Sequence, residues 1–249
     1  MRRTFVGREG TAGLCLMIGA LVASVLAVLP ATVAAADFRL LDFDGVFVKW
    51  GPPKLGSGAR VTWSLQQDER HQADAINCRD TTNLVGLLQR TGVSQEAFRA
   101  QAVAAFAMWQ ARTNLDFVEV QPGEPADIVI GAQMLPRGIA WTNVDFARPD
   151  KKAIPPDGPA LAVLTQAAVC LNPAVPWTVA SDGNIDAYGL RLVLAHEIGH
   201  AIGLDHPGRD GQLMGFAYQD NLSDLTAGDI AGVVLLYGPK QQSVSATAN

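Results

Sequence analysis

The sequence predicts a mixed α+β domain, and three observations carry that expectation. Several short segments alternate apolar and polar residues, as half-buried strands do. Two longer stretches, roughly 95–113 and 187–204, carry apolar side chains at helical spacing. The strands and helices do not follow one another in a regular βαβ rhythm, which argues against a doubly wound architecture.

Composition sets the bounds. A chain of 249 residues holds one or two domains and enough apolar surface for a sizeable core. A hydrophobic content of 49% excludes wholesale disorder. A net charge of −5 disfavours nucleic acid as a partner, because phosphate backbones call for stripes of Lys and Arg. Three cysteines are too few for a disulfide-dense scaffold.

The first 36 residues read as a secretory signal peptide. Arg2 and Arg3 precede an apolar stretch from Gly13 to Leu29, Pro30 breaks it, and Ala34-Ala35-Ala36 offers a small-residue cleavage site before Asp37. A single membrane anchor is the alternative, but no basic stop-transfer flank follows the apolar run. Export therefore places the mature chain outside the cytoplasm or in a periplasm, by the general secretory or the twin-arginine route. No later apolar run is long enough to span a bilayer, so no membrane association is expected after cleavage. With Cys15 removed, Cys78 and Cys170 remain; they can pair as one disulfide or stay buried thiols.

The mature elements follow in order. Residues 37–58 read as an N-terminal extension rich in turn material, Gly51-Pro52-Pro53 and Gly56-Ser57-Gly58. Arg60 to Leu65 alternates and reads as a strand, and 66–92 as a loop-rich insertion with a short helix. Ser94 caps a helix over about 95–113, with Glu96 in its first turn. Its Phe98, Ala102, Phe106 and Trp109 share one face and are expected in the core. Strands are expected at 115–120, 127–130, 138–144 and 164–172, with 147–159 as a proline-rich surface loop. Asp182-x-Asn184-x-Asp186 starts like a calcium loop but lacks its twelfth-position Glu, so a solvated turn before the next helix is the better reading. Thr226 and Asp229 form a capping box for a last helix over about 227–237, which Gly238 stops. Residues 239–249 read as a disordered tail.

The chemistry concentrates in His196-Glu-Ile-Gly-His-Ala-Ile-Gly-Leu-Asp-His206, which holds three of the four histidines. His196 and His200 lie one turn apart on a single helix face, where two imidazole nitrogens can meet one ion at about 2.0–2.1 Å. Glu197 stands about 100° further round the helix, beside such an ion, which suits a general base for a water molecule. Gly203 can adopt positive φ, end the helix and turn His206 back as a third ligand. Three neutral nitrogen ligands with an open fourth position describe a catalytic rather than a structural zinc site.

The pattern H-E-x-x-H-x-x-G-x-x-H, followed by Met214 in Gln212-Leu-Met-Gly215, resembles the metzincin metalloproteases and their Met-turn. Within them the chain looks most like the matrixin branch, particularly its compact bacterial members. Val61-Thr-Trp-Ser-Leu65, Ala105-Phe-x-x-Trp109, Ala126-Asp-Ile-Val-Ile130 and Leu225 to Gly238 carry the likeness in the family's order. The resemblance implies a catalytic domain over 59–238, with a mixed, mostly parallel twisted sheet of about five strands. It also implies an active-site helix, a backing helix and a C-terminal helix. It implies one catalytic zinc on His196, His200 and His206, with Glu197 as general base and Met214 beneath the metal. It allows a structural calcium by family analogy only. Gly138 to Val144 would be the edge strand that pairs with substrate, making Ile139, Ala140 and Trp141 substrate contacts. Phe216 and Tyr218 would wall the pocket for the side chain after the cleaved bond.

Departures from the family limit what is carried over. The only histidine outside the motif is His71, so a second, structural zinc is not expected. Cys78 lies inside the domain rather than in a propeptide, so latency through a cysteine on the metal is not expected. Phe216 stands where related families place a tyrosine ligand. The leading function is a secreted zinc endopeptidase acting on protein or peptide substrate, expected as a monomer. An exported binding or inhibitory protein on the same scaffold and a cell-wall peptide amidase are the alternatives.

Overall fold

A computed structural model describes residues 37–149, 159–180, 186–208 and 211–241. The proposed signal peptide, most of the 147–159 loop, Asp182 and Asn184, and residues 242–249 lie outside the described residues.

The alternating segments become strands and the periodic ones helices. In chain order these are β1 (Arg39–Leu40), β2 (Asp42–Phe43), β3 (Val46–Lys49), β4 (Ala59–Leu65), β5 (Arg70–His71), β6 (Asp80–Thr82), α1 (Val85–Thr91) and α2 (Gln95–Gln110). There follow β7 (Leu115–Glu119), β8 (Ile128–Gln133), β9 (Ala140–Ala147), β10 (Ala160–Leu171), β11 (Trp177–Thr178), β12 (Tyr188–Gly189), α3 (Leu190–Ala201), β13 (Leu204–Asp205) and α4 (Ala227–Tyr237).

One sheet organises the domain. Strands β7, β4, β8, β10 and β3 run parallel to their neighbours. Strand β9 lies antiparallel on β10 and pairs with no other strand among the described residues, so it forms an edge. Among the described residues the sheet has nine strands rather than about five, because the short β2, β3, β5 and β6 join it. Residues 37–58 are thus not a separate extension: β3 pairs in register with the start of β10, Val46 opposite Ala160.

The aromatic stripe of α2 packs as its spacing requires. Phe98, Ala102, Phe106 and Trp109 are all buried, and Phe106 stacks on Trp63 of β4 at 4.7 Å between centroids. The Trp109 indole N–H donates to Ala195 O at 2.9 Å, tying this backing helix to α3. Ser94 caps α2 through Ala97 N at 3.1 Å. The helix ends three residues before its expected limit, where Thr113 bridges to Pro239. That bridge, with Lys240 N on Arg112 O and Gln241 N on Asn114 Oδ1, holds 239–241 against the domain, so the tail does not begin at 239.

Helix α3 is shorter than its apolar pattern. Tyr188 and Gly189 pair with Trp177 and Thr178, which delays its start to Leu190. Gly203, at φ +100°, ends it after Ala201. Among the described residues no helix is long and apolar enough to cross a membrane.

Lys49 is fully buried, its ammonium donating to Trp50 O at 2.7 Å and Pro52 O at 2.8 Å. Burial lowers its pKa from 10.5 to about 8. An amine with a lowered folded pKa binds fewer protons when native, so stability rises with pH from about 8 to 10.5. Lys49→Met should remove about 3 kcal/mol of this rise. Denaturant midpoints of both proteins at pH 7.5 and 10 measure it, and parallel pH dependence would refute it.

Candidate metal centre

The centre is assembled from one helix, one glycine turn and one buried loop. His196 and His200, four apart on α3, present their rings on the same face. Gly203 then reverses the chain, with its N–H on His200 O at 3.0 Å. Its conformation has a steric cause: a Cβ at Gly203 would collide with Val48 O of β3. After the turn, β13 pairs antiparallel with β1, Leu204 opposite Leu40, and delivers His206. Arg39 clasps Asp205 at 3.0 Å, and Asp205 Oδ1 accepts from His206 N at 2.8 Å.

The three Nε2 atoms converge to 3.1, 3.2 and 3.2 Å of one another. His196 Nδ1 donates to Leu213 O at 2.6 Å and His200 Nδ1 to Leu204 O at 2.8 Å. Each bond puts the proton on Nδ1 and leaves Nε2 as a bare lone pair. Lone pairs that converge in a buried place need a cation between them. Tetrahedral nitrogens at about 2.0–2.1 Å from zinc stand about 3.3 Å apart, so this donor set fits the ion. Burial lowers all three imidazole pKa values, with His200 furthest below its usual range, which keeps the rings neutral and ready to ligate.

Glu197 is buried beside the cluster. Desolvation pushes its carboxyl up to about 7, partly opposed by the Thr142 hydroxyl 2.6 Å from Oε2. The same hydroxyl lies 3.0 Å from Glu197 O, so β9 and α3 are joined at this residue. The sequence reading did not single out Thr142. Alternation along β9 places it on the face opposite Trp141, and only the docking of α3 shows what that face meets.

Met214 is buried, next to Leu213, whose carbonyl accepts from His196 Nδ1. A Cβ at Gly199 would strike its sulfur, so glycine is what lets the loop approach α3. Asp229 holds that loop. Its carboxylate accepts from Leu213 N at 3.1 Å, Met214 N at 3.0 Å, Thr226 N at 2.7 Å and Thr226 Oγ1 at 2.7 Å. The capping box expected from sequence is therefore present, and the same side chain also anchors the turn behind His196, which a capping pattern does not disclose.

The other expected site residues divide. Ile139, Ala140, Trp141, Phe216 and Tyr218 all line one cleft of about 750 Å³ that also exposes His196, Glu197, His200 and His206. Phe216 is 81% exposed and meets the His206 ring edge-on at 5.2 Å. Tyr218 is an anchor as well as a wall: its hydroxyl accepts from Gly189 N at 3.0 Å, and its ring packs on Tyr188. Cys78 and Cys170 are bonded, with Cα atoms 5.6 Å apart. His71 is exposed and faces Asp80 at 2.6 Å. Among the described residues, His196, His200 and His206 are the only cluster of three or more His, Cys, Asp or Glu placed to hold a metal ion.

The turn at Gly203 makes a direct prediction. Gly203→Ala should destabilise the fold by about 3 kcal/mol or more, adding left-handed strain to a backbone collision. A fall of several degrees in Tm is the readout; an unchanged Tm would show that the turn can relax.

Fold and centre together define the class: a mixed α+β domain with three histidines placed to hold a metal ion and a buried carboxylate beside them. Comparison with known proteins makes this specific. The matrixin family model matches residues 79–238. The chain belongs to the matrixin family, whose members are zinc-dependent metalloendopeptidases. It is 33% identical over 144 residues to matrilysin of Rattus norvegicus, covering 55% of this chain and 49% of that protein. It is 32% identical over 146 residues to metalloendoproteinase 1-MMP of Arabidopsis thaliana, covering 54% and 36%. It is 30% identical over 145 residues to a probable matrix metalloproteinase of Invertebrate iridescent virus 3, covering 58% and 39%. The matches thus span less than half the length of these relatives.

Proposed function

We propose that the chain is an exported zinc endopeptidase, with residues 1–36 as its signal peptide. His196, His200 and His206 hold the zinc and Glu197 is the general base. The observation that supports it most is the convergence of three histidine Nε2 atoms, two of them bare lone pairs, beside a buried carboxylate in an open cleft.

Zinc held there supplies Lewis acidity, polarising the scissile carbonyl and making a water easier to deprotonate. Glu197 takes that proton and later returns it to the leaving amine. Desolvation places that carboxyl at about 7, near neutrality, where it can both take up a proton and give it back. Thr142 fixes which carboxylate oxygen faces the cleft. Leu213 O and Leu204 O fix the ring planes of His196 and His200, while Asp229 fixes Leu213.

An extended substrate can add a strand to the free edge of β9. Ile139 O accepts from Asn172 N just after β10, so alternation turns the backbone groups of Ala140, Thr142 and Val144 towards that edge, where Asn77 Nδ2 holds Thr142 O until a substrate strand takes its place. Phe216 and Tyr218 flank the histidines and shape the wall for one substrate side chain.

The test is hydrolysis of a quenched, denatured protein by residues 37–249. Activity that a zinc chelator abolishes and added zinc restores supports the reading. Metal-loaded protein that cuts no denatured chain overturns it.

A further inference from the structure

The segment between β5 and β6 lies outside the zinc motif and the last helix, yet it reaches the cleft. Asp74, Ile76 and Asn77 line the same cavity as the histidines. Three ties hold this loop over β9. Ile76 N and Asn77 N approach Asn143 Oδ1 at 3.2 and 3.4 Å. Asn77 Nδ2 donates to Thr142 O at 3.2 Å. Cys78 is covalently joined to Cys170 of β10, with its sulfur 3.1 Å from Trp141 O. Behind these, Gln72 Nε2 reaches Gln166 Oε1 at 3.3 Å.

Strand alternation gives the loop its side. Thr142 points to α3, so Trp141 and Asn143 point to the opposite face, where the loop sits. A substrate strand added to β9 alternates in the same way. One set of its side chains faces α3 and the metal centre; the other set faces the loop. There it meets Ile76, which is 80% exposed, and Trp141, which is 37% exposed. Exposure of two large apolar side chains in one cleft, on a segment fixed by a covalent bond, is costly without a use.

We propose that the 72–80 loop, stapled by Cys78–Cys170, is a second wall of the substrate cleft. Ile76 and Trp141 select an apolar side chain on the substrate residue that faces away from α3. Specificity then rests on two walls: the 216–218 segment reads one residue near the cut bond, and Ile76 reads its neighbour in the alternation. The proposal rests on the endopeptidase reading above.

The experiment profiles wild type and Ile76→Ala against a library of quenched peptides varied at three residues on each side of the cut. Ile76 is so exposed that its truncation should leave the fold and zinc content intact. Wild type should prefer Leu or Phe over Asp or Lys at one position besides that read by the 216–218 wall. Ile76→Ala should lower kcat/KM for the apolar peptides about five- to tenfold relative to the polar ones, mainly through KM. Cys78→Ser with Cys170→Ser should weaken the same preference. A uniform loss across the library, or an unchanged profile, overturns the second wall. Anisotropy of labelled peptides on metal-loaded Glu197→Ala protein separates this failure from failure of the peptidase reading. Ile76-dependent discrimination in binding keeps the wall even if wild type cuts nothing; binding without discrimination removes it.

Discussion

Glu197→Gln is expected to lower kcat for peptide hydrolysis by about a thousandfold or more while leaving KM and zinc content near wild type. Glutamine keeps the shape and can still accept from the Thr142 hydroxyl, so the packing of β9 on α3 survives. What it loses is the ability to take a proton. The effect should therefore appear in kcat rather than in the melting temperature. Metal analysis of the purified variant excludes loss of zinc as the cause. A variant retaining a tenth of wild-type activity would assign the base elsewhere. Thr142→Val offers a graded companion, because it leaves the carboxylate free but no longer holds it.

Asp229→Ala should cost about 3–5 kcal/mol of stability and weaken zinc binding about 10- to 100-fold. Four donors would lose their acceptor: Leu213 N, Met214 N, Thr226 N and Thr226 Oγ1. Three are backbone N–H groups and one is a hydroxyl, and through them Asp229 ties a loop to a helix start. The loss reaches the metal through Leu213, whose carbonyl orients the His196 ring. Chelator competition against the folded variant would measure the affinity, and denaturant unfolding the stability. Zinc affinity equal to wild type, in a folded variant, would detach the loop from the metal centre.

The parts of the molecule that were legible in the sequence are those where one local rule suffices. The α2 stripe, the α4 capping box and the spacing of His196 and His200 each follow from helical geometry. Gly203 was legible because positive φ is nearly a glycine property. The failures are all long-range. Residues 37–58 look like turn material by composition, and nothing local says that Val46–Lys49 will find β10 more than a hundred residues on. Tyr188 and Gly189 continue the apolar pattern of α3, and only Trp177 and Thr178 hold them out of it. Thr142 and Ile76 are ordinary residues whose use depends on which face of β9 each meets. Lys49 breaks the rule that lysines stay wet, because two carbonyls of the next turn receive its ammonium.

The pairing of β1 with β13 has a consequence for assembly. His206 is delivered by a strand whose partner is Arg39–Leu40, and His196 is oriented by a loop that Asp229 anchors. The pocket is thus fastened at both extremes of the described chain, although its three histidines span eleven consecutive residues. Contacts of such high sequence separation form late, after the loop-closure entropy between them has been met. A chain emerging from synthesis carries all three imidazoles before it has the cradle that aligns them. The aligned donor set therefore waits for α4 to dock and Asp229 to anchor the loop that orients His196.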